Sequence, residues 1–336
     1  MTRRTKLTPS VADLRRAVRE SFERHGVAAD DLVLVACSGG PDSLALAAAV
    51  AFEAPKLELK LGAVIVDHGI QTATAEVAKK TSVTLTALGF SPVEIVKVSV
   101  GTEGGLEAAA RSARYEAIDE VAAKLDAKYV LLGHTRDDQA ETVLLGLARG
   151  AGARSLSGMA ELTGRYLRPM LGITRETTVQ ACLDAGLEAW DDPHNTEERF
   201  ARVRVREAVL PVLEKELGPG IAEALARTAD QLREDDEVLD HLAEHAYQEI
   251  VKAGSNSLTI AVKALADLAP AIRYRVIRLA GTTLGGHLHR SHVLEIDRLV
   301  TNWHGQKPLA VPSIRVERTG ETIVLRSTNT LKPGAC

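Results

Sequence analysis

The sequence predicts an α/β protein: a doubly wound parallel sheet followed by a second, mostly helical domain that ends in a small β element. Three observations carry that expectation. Between residues 32 and 133, four near-continuous apolar runs alternate with segments of helical period, which is how strands covered on both faces read. The polar clusters fall where those runs end, at the edge where the crossover loops of such a sheet share one crevice. From about Glu214 the alternation gives way to a long acidic helical stretch that contains REDDEVLDHLAEHAYQEI.

Taken in order, Thr8 and Pro9 read as the N-cap and first residue of a helix whose apolar positions Val11, Leu14, Val18 and Phe22 recur at helical spacing until Gly26. Strands are expected over 32–37, 61–66, 93–100 and 129–133, and helices from Asp42, over 75–88, over 106–125 and from Asp138. After Gly158 comes a loop-and-helix region dense in arginine. The long helix from Glu214 is followed by two shorter helices and a strand pair over 313–327, with Thr319 and Gly320 at its turn. The expected domains are 1–214, catalytic, and 215–336, holding substrate.

With 336 residues and 45% hydrophobic content the chain is long enough for two cores. A net charge of −4 argues against a uniformly basic nucleic-acid binder while leaving room for a local basic surface. The basic start MTRRTKLTPS leads into an amphipathic segment rather than an apolar core, so no secretory signal is expected. The longest apolar stretch, 44–52, is far short of the ~20 residues that span a bilayer, so no membrane partner is expected. Cys37, Cys182 and Cys336 lack CxxC spacing, which speaks against a disulfide framework or a zinc or iron–sulfur site, and a cytoplasmic location is expected.

SGGPDS (Ser38, Gly39, Gly40, Pro41, Asp42, Ser43) lacks the lysine of GxxxxGK[ST] and is not GxGxxG. Its glycines allow close backbone approach, Ser38 and Ser43 can donate to phosphate oxygens, and Asp42 can hold a magnesium ion beside them. The alternative is an ordinary strand-to-helix turn with Asp42 or Ser43 as the cap. VDHGI places Asp67 and His68 at the next strand end, and GLEAAARSARYEAI places Arg111 and Arg114 on one helix, with Glu107 a turn before Arg111. Those arginines either form a solvated face or aim at the crevice and stabilise phosphate charge. In GHTRDDQAET, Asp138 and Glu141 have capping-box spacing, while Asp137 and Glu141 share a face behind His134, an arrangement suited to an ammonium group. Arg199, Arg202, Arg204 and Arg206 suit phosphate contacts, against the plainer reading of a charged helix laced with Glu197, Glu198 and Glu207.

SGGxDS after a buried strand resembles the PP-loop of the N-type ATP pyrophosphatases, which split ATP between the α- and β-phosphates to adenylate a carbonyl oxygen. HxxDDQxET, the loop RGAGARSLSGM, and DPxN followed by an arginine cluster and Leu-Pro are similar to the tRNA(Ile)-lysidine synthetases, with motifs in order from Leu32 to Pro211. The chain looks like the shorter form of that family, without a further terminal domain. One departure is Val203, where the family usually has asparagine.

The resemblance implies ATP and Mg2+ at SGGPDS, with Asp67 and His68 beside the nucleotide, and L-lysine received by His134, Asp137 and Glu141. It also implies an isoleucine tRNA with a CAU anticodon, held by Arg199, Arg202, Arg204, Arg206 and the second domain. Lysine would join C2 of the wobble cytidine through an adenylated intermediate, with Asp42, Arg111 and Arg114 stabilising charge. The alternatives are a tRNA thiolase, for which the cysteines are badly placed, or an amide ligase that uses no RNA. Which of His134, Asp137 and Glu141 is the base stays open, as does the oligomeric state, with a homodimer allowed.

Overall fold

The computed structural model describes residues 7–67, 72–98, 106–150, 152–191, 197 and 199–328. The chain divides into two compact units, Met1–Arg233 and Glu234–Cys336. In the first, α1 (Pro9–Arg24) starts at Thr8, whose Oγ1 accepts from the Val11 N–H at 3.4 Å, and it buries Val11, Leu14, Val18 and Phe22. The expected alternation follows: β1 (Leu32–Ala36), α2 (Pro41–Glu53), β2 (Lys60–Asp67), α3 (Thr72–Ala87), β3 (Val93–Lys97), α4 (Leu106–Lys124), β4 (Tyr129–Leu132) and α5 (Arg136–Ala148).

After α6 (Ala153–Leu156) the sheet gains two strands where the sequence predicts loop and helix, β5 (Leu162–Thr163) and β6 (Tyr166–Leu167). Strands of two residues show no periodicity; only pairing with a neighbour defines them. The order is β3-β2-β1-β4-β6-β5, parallel except where β5 meets β6. One face packs Val33, Val35 and Leu131 against apolar residues of α1 and α2; the other packs Leu34, Val64, Val130 and Leu132 against Ile118 and Val121 of α4. The order reverses between β1 and β4, so the loops after those strands diverge and leave a crevice between them.

Two helix boundaries differ from expectation for local reasons. The helix expected from Asp138 begins at Arg136, because the Asp138 carboxylate reaches back to accept from the Thr135 N–H at 2.8 Å and hydroxyl at 2.9 Å, making Thr135 the cap. The helix expected from Glu214 is two. Following α7 (Arg175–Asp184), α8 (Ala201–Arg204) and a π-helical turn (Val205–Val209), α9 (Leu210–Leu217) stops at Gly218, where φ is +100°. The 30-residue α10 (Ile221–Ile250) then carries the chain from the first unit into the second.

The second unit contains β7 (Val251–Ala253), β8 (Ser257–Ala261), α11 (Val262–Ala266), α12 (Pro270–Thr283), α13 (Arg290–Thr301), β9 (Leu309–Val311), β10 (Ile314–Thr319) and β11 (Thr322–Ser327). The expected strand pair is β10 and β11, turning at Gly320, and it lies inside a five-stranded antiparallel sheet ordered β7-β8-β11-β10-β9. Its core joins Ile260, Ile277, Ile296, Ile314 and Ile323. Among the described residues no helix is long and apolar enough to cross a membrane.

Candidate active site

The loop after β1 is tied to itself by its own hydroxyls. Ser43 Oγ accepts from the Ser38 N–H at 3.2 Å and donates to the Gly40 carbonyl at 3.0 Å, while Ser38 Oγ accepts from the Gly40 N–H at 3.4 Å. Gly39 has φ +88°, and a Cβ there would lie 2.6 Å from Thr81 Oγ1 on α3, so only glycine fits. Helix α2 opens on Gly40 with no side-chain cap and with Pro41 at its first position, leaving first-turn N–H groups for an anion. Asp42 does not cap this helix. Its carboxylate accepts from the Thr178 hydroxyl of α7 and faces Arg175 Nε at 3.5 Å.

The tip of β4 abuts this loop. A Cβ at Gly133 would stand 3.2 Å from the Asp42 backbone and from Ser43 Cα, so β4 must end in a bare residue there. Beyond it, α5 presents its acids to arginines from other segments. Arg175 donates from Nη2 to Asp138 Oδ1 at 2.9 Å, lies 3.3 Å from Glu141 Oε1 through Nη1, and offers its backbone N–H to Asp137 Oδ2 at 2.8 Å. Arg206 Nε adds a 2.8 Å bond to Glu141 Oε1, and Arg202 Nη1 lies 3.8 Å from Glu141 Oε2. Glu141 is fully buried under these guanidinium groups, whereas Asp137 makes no ion pair within 4 Å among the described residues and meets the Arg175 charge only at longer range.

On α4, Arg111 is exposed, stacks on Tyr115 at 4.8 Å and donates to its hydroxyl at 3.3 Å. Arg114 is half-buried with its guanidinium 5.6 Å from the same ring, and neither arginine makes an ion pair among the described residues. The expected pairing with Glu107 cannot be placed, because that side chain lies outside the described residues.

The charges explain the titrations. Burial, aided by Asp138, raises the Asp42 pKa although Thr178 and Arg175 oppose it. Burial would also raise Asp138, but Arg175, His134 and the Thr135 donors outweigh it and hold Asp138 below the usual carboxylate range. Arg175 is desolvated, yet Asp138, Glu141 and Asp42 together raise it. His134 is pushed down to about 3, first by burial and further by Arg168, Arg114 and Arg111, with Asp138 opposing. A free imidazole takes its proton near pH 6.5, so between there and about 3 the unfolded chain binds the extra proton and stability falls as pH drops. His134→Asn is therefore expected to flatten the loss of melting temperature between about pH 6.5 and pH 4, measured against the parent enzyme.

Other expected site residues distribute unevenly. Asp67 is buried at the end of β2, where its carboxylate accepts from the Thr74 hydroxyl of α3 at 2.6 Å, and His68 lies outside the described residues. Of the four arginines expected on tRNA, Arg202 and Arg206 turn inward to the acids, while Arg199 and Arg204 are exposed. Val203 is buried. The sequence reading missed Arg175 and Thr178 because they sit in an unremarkable helix start, TRETT, and missed Asp138 as anything but a cap.

Comparison with known proteins agrees with this arrangement. A PP-loop domain family matches residues 11–213, and a TilS substrate binding domain matches residues 261–322. The chain is 55% identical over 296 residues to the tRNA(Ile)-lysidine synthase of Leifsonia xyli subsp. xyli, covering 88% of this chain and 89% of that one. With that of Thermobifida fusca it shares 53% over 321 residues, 94% and 98% of the two chains. Among solved structures, the U34-tRNA thiolase NcsA of Methanococcus maripaludis superposes with a TM-score of 0.58 over 67% of this chain and 80% of its own, at 20% identity, a likeness of fold. Held across nearly the whole of both chains, identity of this order means that the protein belongs to the tRNA(Ile)-lysidine synthase family, built on the PP-loop scaffold.

Proposed function

We propose that the chain uses ATP to join lysine to C2 of the wobble cytidine in the CAU anticodon of isoleucine tRNA. The observation that carries the reading is the Arg175 guanidinium, which touches Asp42 beside the phosphate loop and Asp138 and Glu141 beside β4. One side chain spans both neighbourhoods, so they share one crevice. The names of the relatives favour this ligase reading over sulfur transfer.

In the first step the cytidine C2 oxygen attacks the α-phosphorus and pyrophosphate leaves, which turns a poor leaving oxygen into AMP. In the second, the ε-amine attacks C2 and AMP departs, with the amine proton passing to a base. Asp137 is the group suited to that proton. Glu141 is wrapped by Arg175 and Arg206, and burial disfavours the protonated form of His134. The wobble base is single-stranded, so turning it into the crevice costs only modest unstacking.

Asp42 fits a magnesium ion by its chemistry: a hard oxygen donor at the mouth of the loop, with Asp138 close enough to raise its pKa. Mg2+ needs only one or two carboxylates there, since phosphates and water complete its shell, and when bound it would offset phosphate charge.

The reading is tested by mixing the protein with magnesium, ATP, labelled lysine and a CAU-anticodon isoleucine tRNA transcript, with methionine tRNA alongside. Label is expected in the isoleucine transcript alone. Label in neither, or equally in both, removes the proposal.

A further inference from the structure

A third arginine, which the reaction as described does not use, stands beside Arg111 and Arg114. Arg168 directly follows β6, the strand that pairs with β4 through Leu131 and Leu167. It therefore sits at the edge of the sheet that carries His134. By strand alternation it shares a face with Tyr166, whose ring meets Tyr115 of α4 edge-on at 5.0 Å. The side chain is 7% exposed. Its Nη1 donates to the Ala160 carbonyl at 2.9 Å and to Thr163 Oγ1 at 3.2 Å, and the Tyr115 hydroxyl lies against the guanidinium. Its Nε–H is buried and has no partner among the described residues.

A buried donor without an acceptor is costly, and a buried guanidinium without a carboxylate more so. Arg168 makes no ion pair among the described residues, and Arg111 and His134 are near enough for their charges to interact with it. Like charges gathered without a counter-ion mark a place for an anion. The strand order says which one. The phosphate loop follows β1, the acids follow β4, and Arg168 follows β6, so the acids lie between the phosphates and Arg168. A substrate with an ammonium at one end and a carboxylate at the other matches that sequence of charges, and a guanidinium edge pairs naturally with a planar carboxylate.

We propose that Arg168, with Arg111 and Arg114 beside it, receives the α-carboxylate of the incoming lysine while the amine end lies at Asp137. The assignment rests on the lysine-ligase reading above. It makes Arg168 the residue that distinguishes an amino acid from a simple diamine.

The test compares L-lysine with 1,5-diaminopentane, which keeps the reacting amine and lacks the carboxylate, under saturating ATP and isoleucine tRNA. The wild-type enzyme is expected to favour lysine in kcat/KM by roughly ten- to a hundredfold. Arg168→Met should bring that ratio close to one, chiefly through KM for lysine, and Arg168→Lys, which loses the planar fork, should narrow it severalfold. The lysine variant keeps a cation within reach of Ala160 and Thr163, so the test survives if the methionine variant fails to fold. A wild-type comparison of lysine with lysinamide needs no variant at all and should show the same preference. Equal use of lysine and the diamine by the wild type overturns the assignment. So does an unchanged ratio in the variants accompanied by a raised KM for ATP, which would make Arg168 a phosphate ligand. If the wild type transfers diamine and lysine alike, the ligase reading survives; if it transfers neither, both fall.

Discussion

Asp42→Asn is expected to lower tRNA-dependent pyrophosphate release by about a thousandfold while leaving the melting temperature equal or higher. The two halves of that result have one cause. Burial and the charge of Asp138 raise the Asp42 pKa, so the folded protein holds this carboxylate ionised at a cost to stability. For a raised carboxylate the sign is clear: the unfolded chain loses its proton first, and stability declines as pH rises through the window between the two pKa values. Asparagine keeps an oxygen to accept from the Thr178 hydroxyl and removes the repulsion between neighbouring acids. It also removes the charge that a nucleotide-bound cation needs. A melting temperature that fell together with activity would show Asp42 to be structural instead.

Glu141→Ala should act the other way, costing about 3–5 kcal/mol of stability in urea unfolding, because it strips the shared partner from guanidinium groups gathered over a buried site. Glu141 is fully buried, with Arg206 at 2.8 Å and Arg175 at 3.3 Å on one oxygen and Arg202 at 3.8 Å from the other. Glu141→Gln retains an acceptor and should recover part of the loss. If Glu141 served only to hold a substrate amine, stability would scarcely change and KM for lysine alone would rise. Comparing unfolding curves with lysine kinetics on the same preparations separates the two.

Much of this architecture is legible in the chain because its strands are buried on both faces. Runs such as LVLVA and YVLL announce themselves, and glycines and hydroxyls between a strand and a helix mark the phosphate loop. What the sequence does not show depends on distant pairing. β5 and β6 exist only through β4, and the helix expected at Asp138 starts earlier because Thr135 and Asp138 cap it together. Arg175 and Arg168 are ordinary arginines in the sequence; what sets them apart is that they meet side chains from distant segments, Asp138 for Arg175 and Tyr115 for Arg168. Spacing could place Asp137 and Glu141 on one face but could not show that only Glu141 would be enclosed by guanidinium groups.

The inward turn of Arg202 and Arg206 also bears on how binding of the nucleic acid should respond to ionic strength. Each arginine that neutralises a phosphate displaces condensed counterions, adding about 0.7–0.9 to the steepness of a log–log plot of affinity against salt. With Arg202 and Arg206 turned to Glu141 and Arg199 paired with Glu197, this segment would add less steepness to tRNA binding than its run of arginines suggests.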